Sequence, residues 1–201
     1  MKAFEVCKGY AAVLALDDVD TDLIVRIERI SQLKRGQFQP WAFETMRYRA
    51  DGSENPDFVL NRPPFRDARI LVTGANFGCG SSREMAVWAL DEFGIQCVIA
   101  SSYGDIFNNN CFQNGVLPIR LAREQIASIM PVAASGAELT VDLRACLIRV
   151  PGLEPIAFSL PESQRVALLN GQDDVDQAVA REARISAYQA ADRAARPWVY
   201  A

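Results

Sequence analysis

The sequence predicts an α/β fold with a parallel core, an added β hairpin and C-terminal helices, and three observations carry that prediction. Between residues 70 and 121 short apolar runs alternate with helical periodicity, giving strand-helix-strand-helix-strand. Such alternation argues for parallel strands joined by right-handed crossovers. Further on, Leu139, Val141 and Leu143 alternate opposite the apolar residues 147–150, the pattern of a hairpin expected to cover one side of the core. Helical spacing then returns in residues 166–170, stopping at Gly171, and in Val175, Ala178, Val179 and Ile185.

In chain order, residues 11–16 are an apolar first strand running into an acidic turn at residues 17–22. Asp20 there is a suitable N-cap for the segment that begins at Leu23. Residues 24–36 carry Arg26, Arg29, Lys34 and Arg35, and residues 50–64, rich in Asp, Gly, Asn and Pro, read as a crossing loop. The repeating unit follows: strand 70–73, helix 82–93 closed by Gly94, strand 97–100, a helix from about Asp105, and strand 116–121. Asp173 and Asp174 suit the start of the last helix, which ends at Arg196-Pro197. Glu182 interrupts its apolar face, so it is expected to pack less deeply than helix 82–93. With no repeat or flexible linker, residues 1–201 are expected to form one compact unit.

Composition narrows the function classes. The chain has 201 residues, half of them hydrophobic, and a net charge of −4, so it lacks the basic footprint of a nucleic-acid binder. Residues 1–5 lack a signal-peptide pattern and no apolar run approaches the roughly 20 residues that span a bilayer, which points to a cytoplasmic protein. The five cysteines are scattered, and without histidine or a C-x-x-C pair no metal is expected to be bound by this chain alone. Cys97 and Cys146 read as small core residues. Cys79 lies in a glycine loop, where a helix N-terminus can lower a thiol pKa.

That loop, Gly74-Ala75-Asn76-Phe77-Gly78-Cys79-Gly80-Ser81-Ser82-Arg83-Glu84, is the stretch with the most chemistry. It stands between the strand at 70–73 and a helix, and its glycines permit a tight turn with close backbone approach. Ser81 and Glu84 have capping-box spacing, which predicts a helix starting at Ser81 or Ser82. Free amides, the helix dipole and Arg83 would then make an anion site. The structural alternative is a turn followed by an ordinary cap. The order G-x-x-x-G-x-G is neither a dinucleotide fingerprint nor a phosphate loop. No hydrolase elbow is present, and no histidine exists to activate Ser81 as a nucleophile.

Gly78-Cys79-Gly80-Ser81-Ser82-Arg83-Glu84 resembles the signature of the small subunit of 3-isopropylmalate dehydratase, in the aconitase superfamily. Asp18-Val19-Asp20-Thr21-Asp22, residues 55–61, residues 105–110, Asn114-Gly115-Val116-Leu117-Pro118 and Leu168-Leu169-Asn170-Gly171 follow in that family's order, so the resemblance covers nearly the whole chain. It implies the swivelling β/β/α domain and a hydro-lyase of leucine biosynthesis, active only with a separate large subunit that carries a 4Fe-4S cluster. It also implies Ser81 as the base that takes a proton from carbon. Ser82, Arg83 and Gly80 are implied to hold a carboxylate of a small dicarboxylate substrate, and Asp20 and Thr21 to stand at the rim. Arg26 and Arg29 fall in the loop that meets the variable part of the substrate.

The sequence departs from the family there and in the signature. Arg26 stands where a proline is usual, Arg29-Ile30 replaces an aromatic-leucine pair, and Met85 and Val87 replace His and Pro. Met85 shares a helical face with Trp88 and Ala89, which reads as packing. These departures leave open a paralogue for another substituted malate, of citramalate or dimethylmalate type. A noncatalytic dicarboxylate-binding regulatory module is the remaining alternative.

Overall fold

The structure is a computed structural model and describes residues 1–80 and 83–200. Its strands are β1 (Val6–Leu14), β2 (Ile70–Thr73), β3 (Cys97–Ala100), β4 (Leu117–Arg120), β5 (Glu138–Asp142), β6 (Leu147–Arg149) and β7 (Ile156–Ala157). The helices are α1 (Thr21–Ile24), α2 (Ile27–Ile30), α3 (Glu44–Arg47), α4 (Glu84–Phe93), α5 (Asp105–Asn114), α6 (Arg123–Ala134), α7 (Glu162–Asn170), α8 (Asp174–Val179) and α9 (Glu182–Ala195).

The strands form one seven-stranded sheet, ordered β4-β3-β2-β1-β5-β6-β7. β1 joins two kinds of pairing. Its second half, Ala11 to Leu14, runs parallel to β2, while Val6 to Tyr10 runs antiparallel to β5. The first strand therefore starts five residues before the apolar run, because Val6 and Lys8 are held by main-chain pairing while Cys7 and Gly9 between and beside them are buried. β2, β3 and β4 continue in parallel. The hairpin buries Leu139, Val141, Leu143 and Ile148 in the core, as expected, and it does so by lengthening the sheet from the edge that the N-terminal half of β1 offers. Cys146 corrects an expectation. It is only partly buried, with φ 52° in the turn between β5 and β6.

Alternation along the strands divides the core. Leu71, Val98 and Ala100 face one apolar cluster with Val87 and Leu90 of α4 and Phe107 of α5. Ile70, Val72, Cys97 and Ile99 face the other, with Ile126 and Ile129 of α6 and Leu168 of α7. Burying each of the Leu, Ile, Val and Phe side chains among them stabilises the fold by roughly 1.5–3 kcal/mol. α6 was not foreseen, although Ile126, Ile129 and Ala133 have helical spacing, because Pro131 reads as a break. Pro131 sits in the last helical turn and is accommodated there.

Two further helical expectations are corrected. α4 starts at Glu84 with Arg83 as N-cap, so Glu84 is the first helical residue instead of the third. Ser81 and Ser82, the expected start, lie outside the described residues. The C-terminal stripe is divided between α8 and α9, neither of which has a buried residue. Asp173 does cap α8, accepting from the Asp176 amide at 2.8 Å. No helix among the described residues is long and apolar enough to cross a membrane.

Candidate functional site at the carboxyl edge of the parallel strands

Parallel strands bring their following loops to one edge, and three of those loops are tied together here. The acidic turn follows β1, the glycine loop follows β2, and residues 101–104 follow β3. Backbone bonds join the first two: Gly78 N–H donates to Val19 O at 2.7 Å, Asp18 N–H to Ala75 O at 2.9 Å, and Thr21 N–H to Cys79 O at 3.0 Å. Side chains add to them, with Asp17 accepting from the Ala75 amide at 2.5 Å and Asp18 from Asn76 Nδ2 at 2.7 Å. The third loop is bound by Phe77 N–H to Ser102 O at 3.1 Å and by Asn76 N–H to Ser102 Oγ at 2.8 Å.

Glycine is required at the centre of this weave. Gly78 has φ 71°, and a Cβ there would overlap the Phe107 ring. A Cβ at Gly104 would lie 2.6 Å from Gly78 O. The two backbones thus approach more closely than any side chain allows, and this fixes where the loop leads into α4.

Asp20 is the N-cap of α1, accepting from Leu23 N–H at 2.7 Å, so it both caps that helix and lies in the strand-like bridge to Cys79. Thr21 is buried beside it. Arg83, with its side chain only 14% exposed, forms an ion pair with Asp22. The same Asp22 oxygen accepts the Ile27 amide at 3.0 Å. The Arg83 hydrogen bond, with smaller help from the Ile27 amide and the charge of Arg26, holds the Asp22 carboxyl below its usual range against a partial desolvation cost. Cys79 reverses an expectation. Burial foremost, then the charges of Asp20 and Asp18, push its thiol pKa up.

A cleft of about 520 Å³ beside the loop is lined by Asp18, Asp20, Asp22, Leu23, Arg26 and Thr45. Arg26 and Thr45 also line an adjoining cleft of about 650 Å³, whose wall includes Trp41, Glu44 and Tyr48. Arg26 grips Glu28 through two bonds of 2.9 and 3.2 Å. Arg29 does not line either cleft; its guanidinium lies 3.4 Å from the Trp41 ring centroid and pairs with Glu44 at 2.5 Å, holding two wall residues in place. The described part of the site is therefore more acidic than the sequence implied, with its arginines already paired.

Two supporting residues were missed as such. Asn114 is buried and joins the two crossover helices: it accepts from Trp88 Nε1 at 2.9 Å and donates to Glu84 Oε1 at 2.9 Å. Glu84 is thereby held by Asn114 at the start of α4. Glu92, near the end of α4, accepts from the amides of Gly36, Phe38 and Gln39 and so anchors the loop after α2. Asn114 stood in a recognisable Asn-Gly turn, but its partners are thirty residues away in sequence, and Glu92 gave no signal. Met85 packs partly buried against the core. Among the described residues no group of three or more His, Cys, Asp or Glu side chains is placed to hold a metal ion.

Comparison with known proteins agrees with this geometry. Residues 1–124 match the family described as the aconitase C-terminal domain. A protein of Dinoroseobacter shibae named 3-isopropylmalate dehydratase small subunit is 49% identical over 201 residues, covering 99% of this chain and 100% of its own. A protein of the same name from Afipia carboxidovorans is 46% identical over the same span. Among solved structures, a 3-isopropylmalate dehydratase from Methanocaldococcus jannaschii superposes with a TM-score of 0.68 at 26% identity, covering 91% of this chain and 99% of its own.

Proposed function

The chain belongs to the family of 3-isopropylmalate dehydratase small subunits, and from that premise we propose that it is the small, substrate-recognising half of a hydro-lyase of leucine biosynthesis. The reaction would interconvert 2-isopropylmalate and 3-isopropylmalate through dehydration and rehydration. The observation that carries this reading is the match of whole chain to whole chain, 99% against 100% at 49% identity.

A separate large subunit completes the enzyme in this reading. It bears a four-iron cluster, which when bound supplies a Lewis acid for the hydroxyl group. The described residues of this chain do not fit such a group, since Cys7, Cys97 and Cys111 are buried in the core and no ligand cluster is formed. What this chain contributes is proton transfer and recognition. Ser81 takes the proton from carbon; a serine can do so only where its negative charge is met by fixed amides and a cation, and Gly80 and Arg83 flank it in sequence. Ser82, the loop amides and Arg83 bind a substrate carboxylate, for which the planar guanidinium fork is suited.

Asp22 has a defined part in this scheme. It holds one Nη of a largely covered Arg83, so the guanidinium is oriented before a substrate arrives. Asp20 and Thr21 brace the loop from the rim. Arg26 lines the cleft wall while held by Glu28, and Arg29 acts through Trp41 and Glu44. A second reading, another substituted malate as substrate, is favoured by one observation: Arg26, held by Glu28, lines both clefts, in the loop that the family resemblance sets against the variable part of the substrate.

The test is turnover by this chain reconstituted anaerobically with its large subunit, across 2-isopropylmalate, 3-isopropylmalate, citramalate and dimethylmalate. Activity that needs both chains and peaks on isopropylmalate is the expected result. A peak on another malate would establish the second reading, and no activity in a stable, cluster-loaded complex would defeat both. In the active complex Ser81→Ala should lower kcat by about 10²-fold or more. Arg83→Lys should raise KM and lower kcat together.

A further inference from the structure

The segment between α2 and α3 runs over the surface, with Gln39 and Pro40 exposed, yet it is held from several directions at once. Glu92 of α4 accepts from the amides of Gly36, Phe38 and Gln39. Arg47 of α3, buried and without an ion pair among the described residues, donates to Gln39 O at 3.2 Å and to Pro40 O at 3.3 Å. The Arg29 guanidinium of α2 lies 3.4 Å from the centroid of the Trp41 ring while paired with Glu44. Phe43, fully buried, has φ 53° and ψ 37°, a left-handed backbone that a bulky residue keeps only where its surroundings impose it.

Burying a guanidinium without a carboxylate and holding a phenylalanine at positive φ both cost free energy. A turn that merely joined two helices would need neither. What these contacts share is Trp41: the carbonyls before it, its own ring and the backbone two residues after it are each fixed, and its amide donates to Phe38 O at 2.9 Å. Arg29 covers one face of the ring, so the cleft of about 650 Å³ meets the remainder. An aromatic ordered in advance loses little freedom when a ligand packs on it.

The place of this cleft says what it can receive. It adjoins the acidic cleft beside the glycine loop, the two sharing Arg26 and Thr45, and Asp22 on the acidic wall pairs with Arg83. The order outward from Arg83 is therefore Asp22, the acidic cleft, Arg26 and then Trp41. The charges along that line are already paired, Arg26 with Glu28 and Glu44 with Arg29. Beyond them the wall offers the rings of Trp41, Tyr48 and Pro40, which favour an apolar group. Arg49 is the exception, an exposed cation of the same wall with no ion pair among the described residues.

We propose that Trp41 is a specificity-determining residue of this subunit, the wall against which the apolar branch of a substituted malate packs, and that Arg29 is the positioning residue that holds its ring. The proposal rests on the small-subunit reading and deepens it by naming the residue that measures the branch.

The experiment is competition between 2-isopropylmalate and citramalate in the reconstituted enzyme, since the ratio of their kcat/KM values does not depend on how much of a variant is folded. An isopropyl branch is larger than a methyl, so Trp41→Ala should lower the preference for 2-isopropylmalate by roughly tenfold or more. Trp41→Phe, which keeps an aromatic ring, should retain most of the preference. Arg29→Ala should lower it by less, through a higher KM for 2-isopropylmalate, and Arg49→Ala should leave it unchanged. A wild-type ratio in Trp41→Ala would overturn the proposal while leaving the small-subunit reading intact, and a wild-type ratio in Arg29→Ala would strike the positioning role. A ratio that moves in Arg49→Ala but not in Trp41→Ala would mean that the cleft reads charge, and a wild type that prefers citramalate would mean that the branch never reaches Trp41; either overturns the proposal. No turnover of any malate by the wild type in a stable, cluster-loaded complex would sink the small-subunit reading, and the role of Trp41 with it.

Discussion

α4 and α9 are both amphipathic helices, of 10 and 14 residues, yet they stand in opposite situations. In α4, Ala86, Val87, Ala89 and Leu90 are buried, and its ends are held by Asn114 and through Glu92. In α9 no residue is buried, and Ile185 and Tyr188 project into solvent. Helical periodicity says which face of a helix is apolar; it does not say whether a neighbour for that face exists in the same chain. α4 crosses between two adjacent parallel strands and so must lie on the sheet. α9 follows the last strand and is under no such constraint.

Substitutions along the two helices should separate these situations. Leu90→Ala is expected to cost about 2–5 kcal/mol of unfolding free energy, because the cavity opens beneath an α4 pinned at both ends. Urea denaturation measures it, and a loss below about 1 kcal/mol would mean that α4 settles into the space. Gly78→Ala comes next, at about 2–3 kcal/mol, since the added methyl meets the Phe107 ring at a positive φ. Its denaturation midpoint should fall well below that of wild type; an unchanged midpoint would show that the loop can relax.

Asn114→Ala should cost about 1–3 kcal/mol, leaving the Trp88 indole N–H and the Glu84 carboxylate without their partner. In the reconstituted enzyme it should also lower kcat more than it raises KM if Asn114 positions the start of α4, and Asn114→Asp, which keeps the Trp88 acceptor but sets a carboxylate against that of Glu84, should not restore the loss. Equal stability loss with unchanged kcat would restrict Asn114 to packing.

A smaller effect depends on pH. Burial raises the Cys7 thiol to about 11 against an ordinary 9.0, with Arg69 partly opposing the shift. The folded state therefore favours the protonated thiol. Its contribution is complete below pH 9 and is lost as pH rises through 9 to 11. The slope of stability against pH in that window should flatten in Cys7→Ala, and an identical slope would assign the loss to other groups. Ile185→Ala should change the unfolding free energy of this chain by less than about 0.5 kcal/mol, and a larger loss would show that α9 packs within the chain after all.

The sites differ in legibility for the same reason. The glycine loop could be read because its requirements are local: an apolar strand before it, positive φ at Gly78 and Gly80, and a helix after it. That Asp17, Asp18 and Asp20 lace that loop to the first strand could not be read, since those partners lie about sixty residues away. Arg29 reads as a free cation in sequence and proves to be committed to Glu44 and Trp41. Arg83 likewise is paired with Asp22. Charge in a sequence counts residues; charge in a site counts those left without a partner.

The sequence by itself determined the α/β class, the order of the parallel strands' units, the capping of α8 by Asp173 and the glycine loop as the bearer of chemistry, because each depends on neighbours in the chain. The tertiary structure alone decided that β1 serves both a parallel and an antiparallel half-sheet, that the hairpin lengthens the sheet, that α4 begins at Glu84, and that α9 is left uncovered. Those outcomes follow from which edge is unpaired, which polar groups find distant partners and which apolar faces meet, and none of them is a property of residues close together in sequence.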